Sequence, residues 1–214
     1  MHPSPLHPTV ASWPFETWGT DIIGPIDPPS SKGHRFILAA TDYFSRWSEV
    51  AAFKEVTAET VVFFFQTQVL HRFGTPRRII SDNGPQYRSN KVLKFARSHK
   101  IDWRYSTIYN PRANGLAEAF NKTLIKILKK VLTRNKRDWH NKLSEVLWAY
   151  QTTHCTPTQS TPYQLVLGTE AVLPLEIQIP SLRVTLRDGI TDEKNAALRL
   201  EELESLDKKR LRAQ

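Results

Sequence analysis

The sequence has little cysteine, no long apolar run and no apolar leader segment. Its single cysteine, Cys155, excludes an internal disulfide framework and a zinc finger built on several cysteines. The strongest apolar run, residues 61–65, is far shorter than the roughly 18 residues needed to span a bilayer. Residues 1–8 contain three prolines and no apolar segment of the kind found in signal peptides. We therefore expect an intracellular protein that is neither secreted nor bound to a membrane.

Acidic residues are scarce in the middle of the chain, where basic residues concentrate. The whole chain carries a formal net charge of +9. Residues 88–142 contain fifteen Lys and Arg against three acidic residues, whereas residues 171–214 contain eight of each. Solvated helix faces are the ordinary explanation of such charge, but its concentration favours a polyanionic partner such as nucleic acid.

The spacing of apolar residues predicts strands first and then strands alternating with helices. This order is typical of an α/β domain with a mixed sheet, in which the first three strands are antiparallel. The predicted strands are residues 17–24, 35–41, 47–53, 77–81 and 101–105. The predicted helices are residues 57–72, 89–99, 116–134, 138–150, 162–167 and a charged helix from about residue 192.

Three carboxylates stand out by their position in these elements. Asp21 lies inside the first strand, Asp82 follows the fourth strand, and Glu118 lies early in the basic helix, with 35 residues between it and Asp82. Each has an ordinary explanation as a strand-end, turn-forming or helix-start acid. Carboxylates in apolar surroundings are nevertheless costly unless they are paired or bound to metal. Their hard oxygen ligands would suit Mg²⁺ or Mn²⁺.

Several sequence strings together resemble one known family. The strings are Trp18-Gly-Thr-Asp-Ile-Ile-Gly-Pro25, Ser81-Asp-Asn-Gly-Pro-Gln86, residues 110–124, Asp42-Tyr-Phe-Ser-Arg46 and residues 161–168. They resemble the integrase catalytic core of gypsy-type LTR retrotransposons and retroviruses, which belongs to the ribonuclease-H-like superfamily with an Asp, Asp, Glu triad (the DDE motif). The resemblance runs from about residue 13 to 175, and three motifs in this order make it specific.

The resemblance implies both a fold and an activity. The fold would be ribonuclease-H-like, a five-stranded mixed sheet flanked by helices. Asp21, Asp82 and Glu118 would be the catalytic residues and would bind two Mg²⁺ or Mn²⁺ ions. The reactions would be 3′-end processing and strand transfer in DNA integration. The resemblance further implies double-stranded DNA as partner, a homo-oligomer and a nuclear location. Residues 1–14 would be a Pro-rich linker, 15–175 the catalytic core, and 176–214 a connector and charged helical tail.

Residues near Glu118 are candidates for contacts with DNA. Lys122 and Lys126 follow Glu118 at intervals of four, so the three residues share one stripe of the helix. A phosphate backbone along that stripe would meet ammonium groups beside the metals. Helix capping or simple exposure explains the two nearby asparagines, Asn114 and Asn121, equally well. The candidate nucleic-acid-binding residues are Asn114, Asn121, Lys122, Lys126 and Lys129.

The sequence also departs from the family's usual pattern. Integrases of this kind carry a zinc-binding region with paired His and paired Cys, whereas His2 and His7 here have no cysteine partners. We therefore expect no zinc. Two alternatives stay open: a truncated, catalytically inactive remnant that only binds nucleic acid, and a ribonuclease H-type hydrolase. We interpret Asp42 as a turn-forming acid, and helices 58–72 and 138–150 are the candidate interfaces between subunits.

Overall fold

Five short apolar segments form the strands of one mixed sheet. The computed structural model describes residues 11–106, 115–132, 136–173 and 191–213, and the chain divides into two compact units, residues 1–150 and 151–214. The strands are β1 (Thr17–Ile23), β2 (Phe36–Asp42), β3 (Ser48–Phe53), β4 (Arg78–Ser81) and β5 (Asp102–Tyr105). Their order in the sheet is β3-β2-β1-β4-β5.

The pairing of the strands is mixed, as the order of elements in the sequence predicts. β1 pairs with β2 and β2 with β3 in antiparallel fashion, whereas β4 lies parallel to both β1 and β5. The central strand β1 therefore has one antiparallel and one parallel neighbour. In these pairings Asp21 lies opposite Ala39 of β2, and Gly19 lies opposite Ile80 of β4. The predicted α/β class and the antiparallel first three strands are confirmed.

Helix α1 (Ala58–Phe64) begins at the predicted capping box. The Thr60 hydroxyl accepts a hydrogen bond of 2.7 Å from the backbone N–H of Thr57, and the Thr57 hydroxyl accepts one from Thr60. The helix continues as a π-helical segment, Phe65–Leu70, and a last α-helical turn, His71–Phe73. The π-helical segment was not predicted, because hydrophobic spacing over so few residues does not distinguish the two helix types.

Helices α2 (Asn90–Ser98), α3 (Gly115–Val131) and α4 (Trp139–Gln151) complete the first unit. Helix α3 is shorter than predicted at its carboxyl end, and part of the predicted extension lies outside the described residues. Ala39 and Ile37 of β2 pack with both α3 and α4. Burying each large apolar side chain stabilises the fold by about 1.5–3 kcal/mol. The helix residues in this core are Phe120, Leu124, Leu128, Trp139, Leu143 and Val146.

Aromatic side chains pack in a second group that involves the π-helical segment and β5. The Phe65 ring lies 5.2 Å from the Trp103 ring in a T-shaped contact, and the Tyr87 ring lies 6.0 Å from Trp103. Phe65 and Tyr87 are fully buried. The segment that follows β4 is thereby fixed against β5 and the helix that precedes β4.

The second unit contains helices α5 (Pro162–Leu167) and α6 (Asp192–Arg212). Helix α5 begins at Thr161, whose hydroxyl accepts a hydrogen bond of 3.0 Å from the backbone N–H of Gln164. Arg210 of α6 donates from Nε to the carbonyl oxygen of Leu165, at 3.1 Å. In the part of the chain that the structure describes, no helix is both long enough and apolar enough to cross a bilayer. The domain boundaries expected after residues 14 and 175 stay predictions.

Candidate active site

Strand β1 carries Asp21 on the face of the sheet that α3 covers. Asp21 lies opposite Ala39, and directly opposed residues of antiparallel strands share a face. Both of its carboxylate oxygens accept hydrogen bonds. The backbone N–H of Ile22 donates to Oδ1 at 2.9 Å, and Nδ2 of Asn121 donates to Oδ2 at 2.8 Å. These two bonds fix the direction of a partly buried carboxylate.

Asp82 directly follows β4, the parallel neighbour of β1. Because Gly19 lies opposite Ile80, continuing both strands by two residues brings Asp21 and Asp82 side by side. Oδ1 of Asp82 accepts a hydrogen bond of 3.0 Å from the backbone N–H of Gly84, which closes a tight turn. Trp103 of β5 anchors the end of β4 by donating from Nε1 to the Ser81 hydroxyl oxygen at 3.0 Å.

The first turn of α3 carries Glu118 over the same end of the sheet. Glu118 is exposed, whereas Asn121, three residues later, is buried and bonded to Asp21. Residues three apart in a helix lie on neighbouring positions of one face. The hydrogen bond from Asn121 therefore sets the start of α3, and with it Glu118, against β1.

Asp82 and Glu118 both lie within electrostatic reach of Asp21. Burial raises the pKa of Asp21 above its usual value, and the negative charges of Asp82 and Glu118 raise it further. The hydrogen bonds from Ile22 and Asn121 oppose these effects by stabilising the ionised form. The structure thus places Asp82 and Glu118 near enough to Asp21 to raise its pKa.

The chemistry of this site fits a hard divalent cation. Its donors are carboxylate oxygens, and Oδ1 of Asn121 is a buried oxygen that has no hydrogen-bond partner among the described residues. A cation would also relieve the repulsion that acts on Asp21. Within the described ranges, no three His, Cys, Asp or Glu side chains are grouped closely enough to hold a metal ion together.

The predicted DNA-contacting residues fall into three groups. Lys122, Lys126 and Lys129 are exposed on α3, and none of them forms an ion pair within the described part of the chain. Asn121 is 8% exposed and donates to Asp21, so it belongs to the carboxylate site itself. Asn114 lies outside the described residues.

Asp42 lies away from this site. It is three residues beyond Ala39 on β2, so it projects from the opposite face of the sheet. Its carboxylate accepts hydrogen bonds from the backbone N–H groups of Phe15 and Ser45, at 2.9 and 2.8 Å, and from the Ser45 hydroxyl at 2.6 Å. Burial raises the pKa of Asp42 to about 6. These contacts agree with the interpretation of Asp42 as a turn-forming acid.

Two residues beside the carboxylates were not singled out from the sequence. Tyr87 and Thr20 are both fully buried, and their hydroxyl oxygens lie 3.3 Å apart. Thr20 directly precedes Asp21, so its side chain projects from the other face of β1. The alternation of side chains between the two faces of β1 could have indicated the position of Thr20. Its contact with Tyr87 depends on the tertiary fold.

The chain resembles known proteins in sequence and in fold. The integrase core domain family matches residues 11–111. The chain is 30% identical over 172 residues to the Pro-Pol polyprotein of feline foamy virus, an alignment that covers 79% of this chain and 14% of the polyprotein. It is 31% identical over 176 residues to the transposon Tf2-3 polyprotein of Schizosaccharomyces pombe, with 81% of this chain and 13% of that polyprotein covered. The chain thus spans only a small part of the curated relatives it matches.

A solved structure shows the same fold. The HTLV-2 integrase catalytic core domain, solved in complex with magnesium in a trimeric form, superposes with a TM-score of 0.57 and 23% identity. The alignment covers 71% of this chain and 95% of that domain. The ribonuclease-H-like sheet predicted from the sequence is therefore confirmed. Residues 11–111 thus belong to the integrase core domain family, and the curated relatives are polyproteins of a retrovirus and a retrotransposon.

Proposed function

We propose that this chain is the catalytic core of a retroelement integrase that processes the 3′ ends of element DNA and transfers them to target DNA. The placement of Asp21 on β1, Asp82 directly after β4 and Glu118 in the first turn of α3 carries the proposal, because Asp82 and Glu118 lie near enough to Asp21 to raise its pKa. Carboxylates placed in this way are suited to binding divalent cations.

The three carboxylates would hold two Mg²⁺ or Mn²⁺ ions. When bound, such ions stabilise the negative charge on the attacking and leaving oxygens of an in-line phosphoryl displacement. In end processing, a water oxygen forms the new bond to phosphorus and the 3′ oxygen of the DNA leaves. In strand transfer, that 3′ hydroxyl attacks a target phosphodiester and another 3′ oxygen leaves. Asn121 holds the Asp21 carboxylate in place during both reactions, and no covalent enzyme intermediate forms.

The lysine stripe of α3, defined as Lys122, Lys126 and Lys129, supports DNA as the substrate. These ammonium groups are exposed and continue along α3 from Glu118. Each can contact a phosphate, so a DNA backbone lying on the stripe would approach the carboxylates. Lysine contacts to phosphate are independent of base sequence, and the stripe therefore positions DNA without selecting a particular target site.

Self-association and a nuclear location belong to the same proposal. Integration joins two DNA ends, which requires more than one active site in one assembly. The predicted interface helices both expose a large aromatic side chain: Phe63 of α1 is 59% exposed and Trp148 of α4 is 39% exposed. Exposed aromatic side chains of this size are typical of interfaces between proteins. The DNA target implies that the protein acts in the nucleus.

A choice of nucleic-acid substrates tests the proposed function against a hydrolase that cleaves RNA–DNA hybrids. The purified chain would receive, with Mn²⁺, either a branched DNA that mimics a joined product or an RNA–DNA hybrid duplex. We expect resealing of the branched DNA, because this reverse reaction needs only the carboxylates and local DNA contacts. Preferential cleavage of the hybrid would support the hydrolase instead. Salt-dependent DNA binding without either reaction would support the inactive remnant.

A further inference from the structure

Tyr87 lies in the segment that carries Asp82, five residues further along the chain. Its backbone N–H donates to the carbonyl oxygen of Gly84 at 3.0 Å, so the segment turns back on itself directly after Asp82. Its side chain is fully buried. A buried phenol hydroxyl requires a hydrogen-bond partner. The partner in this structure is the Thr20 hydroxyl, at an oxygen–oxygen distance of 3.3 Å.

The direction of this hydrogen bond follows from the second contact of Thr20. The Thr20 hydroxyl donates to the carbonyl oxygen of Ala39 at 2.9 Å. A hydroxyl has only one hydrogen to donate. Tyr87 must therefore be the donor to Thr20, and the chain of bonds runs from Tyr87 through Thr20 to Ala39.

Two members of this chain of bonds lie beside Asp21, and the third, Tyr87, follows Asp82 by five residues. Thr20 is the residue before Asp21 on β1, and Ala39 is the residue opposite Asp21 on β2. Asp82 and Tyr87 lie at the two ends of one short turn segment. Asp21 lies on one face of β1, and the bond between Tyr87 and Thr20 lies on the other. The segment after β4 is therefore tied to β1 on the face opposite the candidate active site.

Electrostatics agree with this arrangement. Burial raises the pKa of Tyr87, the hydrogen bond with Thr20 opposes that effect, and the charges of Asp82 and Asp21 raise the pKa further. The phenol therefore stays protonated and keeps its role as donor. Both carboxylates are close enough to act on the phenol electrostatically.

We propose that Tyr87 is a positioning residue that sets the separation of Asp21 and Asp82 by donating its hydrogen bond to Thr20. This inference rests on the proposed function, because the separation of the two carboxylates determines how well they share a divalent ion. Tyr87 contacts neither DNA nor metal in this account. It acts by holding the turn segment against β1.

The test measures Mn²⁺ binding to the full chain by electron paramagnetic resonance. Tyr87→Phe keeps the ring and removes the donor, and Thr20→Val removes the acceptor. We expect each variant to weaken Mn²⁺ binding by about three- to tenfold, in line with the loss of one buried hydrogen bond. The double variant should bind no more weakly than the weaker single variant, because both substitutions break the same bond. Thr20→Val provides the measurement on its own if Tyr87→Phe does not fold.

Tyr105→Phe is the matched control. The Tyr105 hydroxyl donates to the carbonyl oxygen of Tyr87 at 3.2 Å, so this control also removes a phenol that anchors the turn segment. We expect native Mn²⁺ binding in Tyr105→Phe. Equal weakening in both phenylalanine variants would overturn the inference, because general loosening of the segment would explain it. Native binding in Tyr87→Phe and Thr20→Val would also overturn it.

The outcomes for the inference and for the proposed function are distinguishable. If Asp82→Asn abolishes Mn²⁺ binding while Tyr87→Phe and Thr20→Val bind like the native chain, only the role of Tyr87 is wrong. If the native chain binds no Mn²⁺, the proposed function fails and the role of Tyr87 fails with it.

Discussion

The side-chain nitrogen of Asn121 donates a hydrogen bond of 2.8 Å to Oδ2 of Asp21 and thereby joins α3 to β1. This bond lowers the pKa of Asp21, which burial and the neighbouring carboxylates raise. Removing it should therefore raise that pKa further. Since a metal ligand must be ionised, the pH dependence of activity should report on this contact.

Asn121→Ala should shift the acidic limb of the activity–pH profile to higher pH. The physical reason is that Asp21 loses the donor that favours its ionised form. We expect a loss of about tenfold at neutral pH, with partial recovery at higher pH. The measurement is the rate of DNA resealing as a function of pH. Thr123→Ala, at an exposed position of the same helix, is the control and should keep the native profile. An unshifted profile in Asn121→Ala would refute this role.

Asp42 should make the stability of the fold depend on pH. Its pKa is raised to about 6 in the folded protein from 3.8, so the folded state binds the proton more tightly than the unfolded state. The stabilisation by Asp42 is fully present below the pKa of this group in the unfolded state. It is lost as the pH rises through about 6, the pKa in the folded state. Lowering the pH from 7 to 5 should thus add about 1 kcal/mol to the free energy of unfolding.

Urea unfolding at the two pH values, with the native chain and Asp42→Asn, measures this contribution. The amide cannot titrate, so the stabilisation by acid should be smaller in the variant by that amount. The variant should also be less stable at pH 5, because its NH₂ group replaces one carboxylate oxygen and cannot accept the hydrogen bonds which that oxygen receives, from Phe15 at Oδ1 or from Ser45 at Oδ2. Equal pH dependence in both proteins would show that Asp42 has an ordinary pKa.

The lysine stripe of α3 should determine the salt dependence of DNA binding. Lys122→Gln and Lys126→Gln should each lower the slope of log K against log salt by about one, because one phosphate contact is lost. Lys142→Gln is the control, since Lys142 already pairs with Glu145 at 2.7 Å. Fluorescence anisotropy over a range of salt concentrations provides the slopes. A slope that falls equally in the control would contradict a specific role for the stripe.

Phe63 should contribute to self-association. Replacing it by Glu puts a charge on the exposed face of α1, where burial against another subunit would be costly. We expect Phe63→Glu to have a lower molecular mass than the native chain in sedimentation equilibrium. Leu198→Glu tests the same change at an exposed apolar residue of α6. Association that survives Phe63→Glu would exclude this part of α1 from the interface.

Much of the fold could be predicted because the periodicity of apolar residues and the capping of helices are local signals in the sequence. The antiparallel start of the sheet followed from the order of elements, and the start of α1 followed from Thr57 and Thr60. The π-helical segment at Phe65–Leu70 could not be predicted, since it depends on packing against β3 and the aromatic rings of β5.

The candidate site was predictable in part. Asp21, Asp82 and Glu118 are predicted from motifs whose order is specific, and in the structure Asp82 and Glu118 lie near enough to Asp21 to raise its pKa. Asn121 is predicted as a DNA contact, because the sequence does not show whether a polar residue of a helix is exposed or buried. Its bond to Asp21, like that of Tyr87 to Thr20, joins residues far apart in the chain and requires the tertiary structure.

Resealing of a branched DNA by carboxylate variants tests the central claim most directly. The experiment compares the native chain with Asp82→Asn, Glu118→Gln and the exposed control Glu55→Gln, in Mg²⁺ and in Mn²⁺. We predict metal-dependent resealing by the native chain and by Glu55→Gln, with a loss of about a hundredfold or more in the other two. Full metal-dependent activity in Asp82→Asn or Glu118→Gln would contradict the assignment of these carboxylates to catalysis.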